Sequence, residues 1–273
     1  MLPPAVPATL RNPQSASDLW PPVFAVSGTG VRSSLHAHHA WHLMVGLDGP
    51  LRIQKSVSAR PVSAHAVLVR PDVPHTADAA GHEVVVIFVN PESDVGARLS
   101  ARQGEGIEVF EAAVADRFRA ALRPARTREE LNEGAVRALA EIGIGDARPV
   151  VRHRAVRRVL RQLRSNPPGS DESLEALAAL SGVSASRLMH LFTEEVGVPL
   201  RPYLRWLKLE RAALLLAAGA STADAAQGAG FADAAHMARS FRAMLGTTPA
   251  AIRRSQSVHA DEMLMRKNAS RPQ

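Results

Sequence analysis

From Val23 to Val89 apolar and polar residues alternate in short runs separated by turn residues. The runs "HLMVGL", "LRIQKSV", "AVLVRP" and "HEVVVIFVN" carry the period of two that a half-buried strand requires. Their spacing predicts a small antiparallel barrel or sandwich. "DGP" at Asp48–Pro50, between the first two runs, predicts a hairpin. Past Glu108 the period lengthens. "EAAVADRFRAAL" and "TREELNEGAVRALAEI" predict two helices, the second opening on a Thr127–Glu130 capping box. "IGDARP", Ile144 to Pro149, predicts a linker, and helical periodicity then continues almost to Arg254. The first helix past the linker places Val156, Val159, Leu160 and Leu163 on one stripe. Arg154, Arg157, Arg158, Arg161 and Arg164 occupy its other faces, which predicts a solvated arginine surface. The pattern divides the chain into a Pro-rich lead-in (1–22), a strand domain (23–104), a helical connector (105–149), an all-helical domain (150–255) and a loose tail (256–273). The fold class is α+β in two domains.

Composition adds exclusions. The 273 residues are 46% apolar and 22% charged, ordinary values for a soluble protein. The richest apolar run, Ala212 to Ala220, is too short to span a bilayer, so no membrane partner is expected. The first residues lack the basic and apolar regions of a secretory signal, and a cytoplasmic protein is expected. Absence of cysteine excludes disulfides, thiolate zinc sites and cysteine nucleophiles. Charge is uneven. Residues 1–150 hold 15 Lys+Arg against 16 Asp+Glu, a net of −1, whereas residues 151–273 hold 18 against 10, a net of +8. The basic surplus in the helical half fits a polyanion partner, foremost nucleic acid.

Two stretches of that half share a layout: "LEALAALSGVSASRLMHLF" from Leu174 and "TADAAQGAGFADAAHMARSF" from Thr222. Each is a short helix with alanine four residues before glycine, Ala178/Gly182 and Ala226/Gly230, followed by a second helix. A steep helix crossing leaves room only for alanine, and the tight turn needs a residue that accepts positive φ. Val183, Leu188 and Leu191 hold the second helix onto the first, as Phe231, Met237 and Phe241 do in the repeat. Between the units lies "PLRPYLRWLKLERAALLLAAGA", a long amphipathic helix able to fix their separation.

On these residues, and on Gly230, Phe231, Asp233, Arg239, Phe241, Gly246 and Pro249, residues 150–254 resemble the DNA-binding domain of AraC/XylS-type transcription regulators. The resemblance implies a double helix-turn-helix whose two recognition helices read adjacent major-groove segments of double-stranded DNA. It assigns Ser186, Arg187, Met189 and His190 to the first reading surface, and Asp233, Ala234, Ala235, His236 and Arg239 to the second. Arginine takes guanine or phosphate, and Ser and His donate to either. Thr222 and Ala225 stand where the family has larger aliphatics, and Gly228 weakens the same helix. The second unit is therefore expected to position the protein more than to specify sequence.

"HAHHAWH", residues 36–42, remains. On a strand His36, His38 and His42 share one face, with His39 and Trp41 on the other. His36-Ala37-His38, the "GLDGP" turn and "VRPDVPH" ending in His75 resemble the cupin-type barrel that many AraC-like regulators carry as a sensor. The resemblance implies an effector pocket at His36, His38, His42 and His75, with His42 where metal-binding cupins have Glu. Such a four-nitrogen set suits zinc, iron, nickel or copper, so a divalent metal is the one cofactor considered. His65 and His82 are expected at the surface or in turns, and Trp20 and Trp41 in packing. The whole predicts a one-component transcription regulator rather than an enzyme. A small molecule or metal in the sensor would alter operator binding, with RNA polymerase and a second copy, through the 108–142 helices, as further partners. The alternative is a metal-dependent cupin enzyme of oxygenase or isomerase type, against which stand the missing carboxylate and the two helix-turn-helix units.

Overall fold

The computed structural model describes residues 23–104, 106–122, 125, 127–143, 152–165 and 171–253; the lead-in with Trp20, the Ile144–Pro149 linker and the tail lie outside the described residues. Eight strands form first: β1 (Val23–Thr29), β2 (Trp41–Gly46), β3 (Leu51–Gln54), β4 (Val62–Ala64), β5 (Ala66–Val69), β6 (Thr76–Asp78), β7 (Glu83–Val89) and β8 (Ile107–Val109). They build two antiparallel sheets, β1-β7-β2-β5-β8 and β4-β3-β6, and not, among the described residues, a closed barrel. Isolated bridges Gly30–Ala80, Arg32–Asp78 and His36–His75 run the segment after β1 beside the smaller sheet.

The hairpin expected at Asp48 does not form. β2 pairs with β5 and β7, whereas β3 pairs with β4 and β6. Asp48 instead sits where the chain passes from one sheet to the other. Gly46 N donates to His65 O at 2.8 Å and Leu47 N to Glu83 O at 2.7 Å. Pro50 has no N–H with which to extend a ladder.

Alternation along the five-stranded sheet separates two environments. Val23, Ala25, Leu43, Val45, Ile87 and Val89 point to one side and pack under helices α2 (Ala112–Leu122) and α3 (Arg128–Ala140). The Thr127–Glu130 capping box is present on α3, and Asn132 Oδ1 accepts Ala25 N, an edge-strand donor, at 3.1 Å. Phe24, Val26, His42, Met44, Val86 and Phe88 take the other side, toward the second sheet and the C-terminal helices. A short helix, α1 (Asp94–Ser100), follows β7.

The C-terminal half consists of α4 (Arg154–Ser165), α5 (Leu174–Ser181), α6 (Ala185–Val196), α7 (Leu200–Ala217), α8 (Thr222–Gly228) and α9 (Ala234–Leu245). Helices α5–α6 and α8–α9 are the two repeated units. Gly182 (φ 72°) and Gly230 (φ 77°) occupy the left-handed turns, and Ala178 and Ala226 are buried. The units own different cores. The first combines α4, α5, α6 and the start of α7: Val156, Leu163, Leu188, Phe192, Tyr203 and Leu207. The second combines the rest of α7 with α8 and α9, and its apolar cluster runs on into Phe24 and Phe88 of the strand domain. The α4 stripe is buried as its period predicted, but its arginines do not all face solvent. Arg164 turns inward, because buried Glu92 demands a counter-ion. No described helix is long and apolar enough to cross a membrane.

Candidate functional site

Each second helix of a repeated unit presents a polar outer face. On α6, Ser186, Arg187, Met189 and His190 are exposed while Leu188 and Leu191 are buried. Met189, 44% exposed, is an apolar side chain left in water on this surface. On α9, Ala235, His236 and Arg239 are exposed, Ala234 is half-buried, and Met237 and Phe241 are inside. Asp233 is the N-cap of α9: its carboxylate accepts His236 N at 2.6 Å. That role commits Asp233 to the helix end, where an acid favours the dipole. Ser184 caps α6 in the same way, accepting Arg187 N at 3.3 Å.

Sequence reasoning missed the cations between the units. Arg201, Arg205 and Lys208, spaced to share one face of α7, line a groove with Ser173 of the first unit and His236 of the second. Lys208 Nζ donates to Gly230 O at 2.9 Å, tying α7 to the turn of the second unit, while Arg201 and Arg205 are exposed. The signal was present as R-x-x-x-R-x-x-K, but on a helix read only as a spacer.

The histidines meet where the strand domain faces α7 and the end of α9. Segment 36–39 is not strand; the bridge from His36 to His75 and the bond from Asp72 N to His38 O, at 2.9 Å, hold it in place. His36, His38 and His75 nevertheless come together, one ring nitrogen of each lying within 4.8 Å of the others. His42, on β2, stands beside them with Nδ1 3.3 Å from His75 Nε2. His39 turns away to Asp72, 2.8 Å from its carboxylate. Trp41 is buried beneath Arg70, His82 lies 3.6 Å from Asp48, and His65 is half-buried at the passage between sheets.

Burial sets the charge of this cluster. Desolvation lowers the pKa of all four rings: His36 below the ordinary value, and, with repulsion from neighbouring rings adding to the effect, His75 to about 4 and His38 and His42 well below the ordinary value. The cluster is therefore neutral at physiological pH. His36 Nδ1 lies 2.8 Å from Ser34 O and His75 Nδ1 2.9 Å from Val73 O, so both opposite nitrogens are bare. Both nitrogens of His38 are buried without a partner, its ring stacked on Trp206 at 5.3 Å. Neutral imidazoles anchored through their far nitrogens are what a divalent transition metal takes, and the donor set fits one.

Beside the cluster a cavity of about 140 Å³ opens between the sheets and the C-terminal helices. Phe24, Met44 and Phe88 form one wall, and Trp206, Leu209 and Glu210 of α7 the other, with His36 and His42 also on the lining. Next to it, polar groups join the two domains. Glu92 accepts from Arg164 and, at 2.5 Å, from Tyr203 Oη; Arg152 Nη1 reaches Glu92 O at 2.9 Å. Asn90 links Glu210, at 3.3 Å, with Trp206 Nε1, at 3.4 Å. Burial would raise the Glu92 pKa, but Arg164 and Tyr203 bring it below the usual carboxylate value. Glu210, with Arg164 no nearer than 3.9 Å, is pushed up to about 7 by desolvation.

Residues 177–255 match a family described as a helix-turn-helix domain. Over 101 residues the chain is 35% identical to the transcriptional activator NphR of a Rhodococcus species, a match covering 37% of this chain and 30% of that relative's length. An apo ToxT variant from Vibrio cholerae superposes with a TM-score of 0.56 at 10% identity, covering 86% of this chain and 98% of that one. Wild-type ToxT with an unsaturated fatty acid bound gives 0.52 at 10% identity, over 83% and 92%. At these identities the likeness to ToxT is one of fold: antiparallel sheets followed by a helical domain.

Proposed function

The chain carries an AraC-type helix-turn-helix domain at its C-terminal end, and from that premise we propose a sequence-specific DNA-binding transcription regulator governed by a molecule held between its two domains. The observation that carries the reading is the double role of α7. One helix supplies core residues to both DNA-binding units, Tyr203 and Leu207 to the first, Leu209 and Leu216 to the second. The same helix walls the cavity with Trp206, Leu209 and Glu210. A ligand that packs on those side chains changes what α7 rests against, and with it the relative pose of the units. Different affinity for two poses is all that is needed to shift operator binding. Altered contact with RNA polymerase or with a second copy is a further output of the same change.

Arg187 and Arg239 take guanine edges or phosphates, and Ser186, His190 and His236 add donors. Met189 offers an apolar contact of the kind a thymine methyl accepts. The fatty acid in the ToxT structure supports an effector with a large apolar part for this fold, though not its carboxylate at this lining, and the activator NphR supports a role other than catalysis. Footprinting of the purified chain across genomic DNA, followed by gel-shift titration of the protected site, tests the proposal. It fails if no site is protected or if the recovered site binds no better than random duplex.

A second reading of what is sensed has its own support. A divalent metal on His36, His38 and His75 fits the 4.8 Å grouping and the carbonyl anchors of two of the rings. Bound there, it would bring positive charge next to Trp206. Stoichiometric metal in the purified protein, with operator affinity that follows added zinc, would establish it.

A further inference from the structure

Val73 O only accepts, so His75 Nδ1 carries the ring proton and, in a neutral ring, Nε2 is bare. His42 Nδ1, 3.3 Å away, must then donate into it, which leaves His42 Nε2 bare as well. That nitrogen is buried and has no partner. The same logic applied to His36, anchored through Nδ1 on Ser34 O, leaves its Nε2 as a second lone pair. Both rings line the cavity between the sheets and α7.

The remaining titratable group on the lining is Glu210, whose Oε2 is buried without a partner. No lysine or arginine is among the described lining residues. An anion entering here would exchange its hydration for lone pairs, a carboxyl group and a few hydroxyls, with no cation on the described lining to pair with it. A donor would meet acceptors that nothing else satisfies. The hydroxyls of Ser27, Thr29, Ser33 and Thr247 interrupt a surface that is otherwise apolar and aromatic, with Phe88 and Trp206 6.0 Å apart. The volume of about 140 Å³ is close to the roughly 150 Å³ of an engineered apolar cavity that holds one benzene ring.

Resting on the reading of this cavity as the effector site, we propose that it takes an uncharged, one-ring-sized apolar molecule that donates a hydrogen bond to His42 Nε2, and that it excludes carboxylates. Sites built around an unmet buried acceptor discriminate strongly against ligands that lack the donor, because the acceptor then stays desolvated and unpaired.

Calorimetric titration of the full, chelator-treated chain with benzyl alcohol, ethylbenzene and benzoate tests this. The three share a ring and differ in donor and charge. Benzyl alcohol binds about tenfold tighter than ethylbenzene, from one hydrogen bond to a buried acceptor, and benzoate binds more weakly than either. His42→Phe, which keeps an aromatic ring against Phe88, brings benzyl alcohol down to the affinity of ethylbenzene and leaves ethylbenzene unchanged. His42→Gln, which retains an acceptor oxygen, keeps the preference and serves if the first variant fails to fold. Benzoate binding as tightly as benzyl alcohol, no binding of any of the three, a preference that survives His42→Phe or is lost in His42→Gln, or a preference that appears only with added zinc overturns the proposal. Gel shifts on the same samples keep the two readings apart. The expected ranking without any effect on DNA affinity removes the regulator and leaves the ligand class. DNA binding that responds to benzoate and not to benzyl alcohol does the reverse.

Discussion

Arg161 and Arg164 lie less than one helical turn apart on α4, in near-identical sequence surroundings, yet only Arg164 is turned onto Glu92. The apolar stripe of α4 was legible because it depends on residues three and four apart; the partner of Arg164 is 72 positions away and left no local trace. Glu210 is a similar case. A carboxyl whose pKa in the fold is raised favours its protonated form there. Its stabilisation is fully present below the ordinary 4.5 and is lost as pH rises through about 7. Glu210→Gln should match the parent in thermal unfolding near pH 4.5 and exceed it near pH 8, by on the order of 3 kcal/mol. Equal differences at both pH values would show that the carboxyl is not held neutral. On the DNA surface, Arg187→Ala and Arg239→Ala should each weaken binding to the footprinted site by about 1–3 kcal/mol. A loss confined to the recovered sequence marks a base contact, and an equal loss on random duplex marks a phosphate contact.

Among the elements, α7 does the most that its sequence did not declare. Its amphipathic period predicted a spacer, but the face carrying Arg201, Arg205 and Lys208 borders both units. Arg205→Ala should flatten the dependence of log affinity on log salt by about one unit if Arg205 meets a phosphate; an unchanged slope assigns it to solvent. Helix α8 shows the opposite relation. Gly228 counts against a helix by propensity, yet α8 forms and ends at it, and a Cβ there would meet only the movable Cδ1 end of Leu215 on α7, at 2.9 Å. Of the helix starts, Thr127 of α3 was legible as a cap. Ser173, Ser184, Ser221 and Asp233 each accept a backbone N–H at the start of α5, α6, α8 and α9, an interaction confined to four consecutive residues. The strand period was legible too, but not which strands pair, since β2 takes its partners from β5 and β7 and not from its neighbour β3.

Across the whole molecule the two domains are joined by an apolar cluster, an ion network and one backbone seam. Ser34 N donates to Gly246 O at 2.8 Å, joining the end of α9 to the residues just before the histidine cluster. Gly246 has φ 63°, and a Cβ would stand 2.3 Å from Ser34 O. Gly246→Ala should therefore open this seam at a cost of more than about 1 kcal/mol, lowering the melting temperature and weakening any effect of a cavity ligand on operator affinity. A variant that melts as the parent does and keeps the full ligand response would show that the seam does not couple the domains. The first unit is held to the strand domain through Glu92, which takes Arg164 and Tyr203 Oη, whereas the second shares its core with Phe24 and Phe88. Breaking a buried pair from one side leaves an uncompensated charge and costs about 3–5 kcal/mol, so Glu92→Gln should loosen the first unit, read as faster amide exchange on α4 than on α9.

What the sequence determined unaided is whatever repeats or caps over a few residues: the switch from strand to helix periodicity, the two alanine–glycine turns, the Thr127–Glu130 capping box and the basic bias of the helical half. These follow from the geometry of one element and survive in any fold that contains it. Only the tertiary structure decided which arginine is buried, that the strands divide into two sheets, and that His36, His42 and Glu210 share one cavity without a cation. Those groups are far apart along the chain, and burial, tautomer and charge belong to the space between elements, which no periodicity encodes.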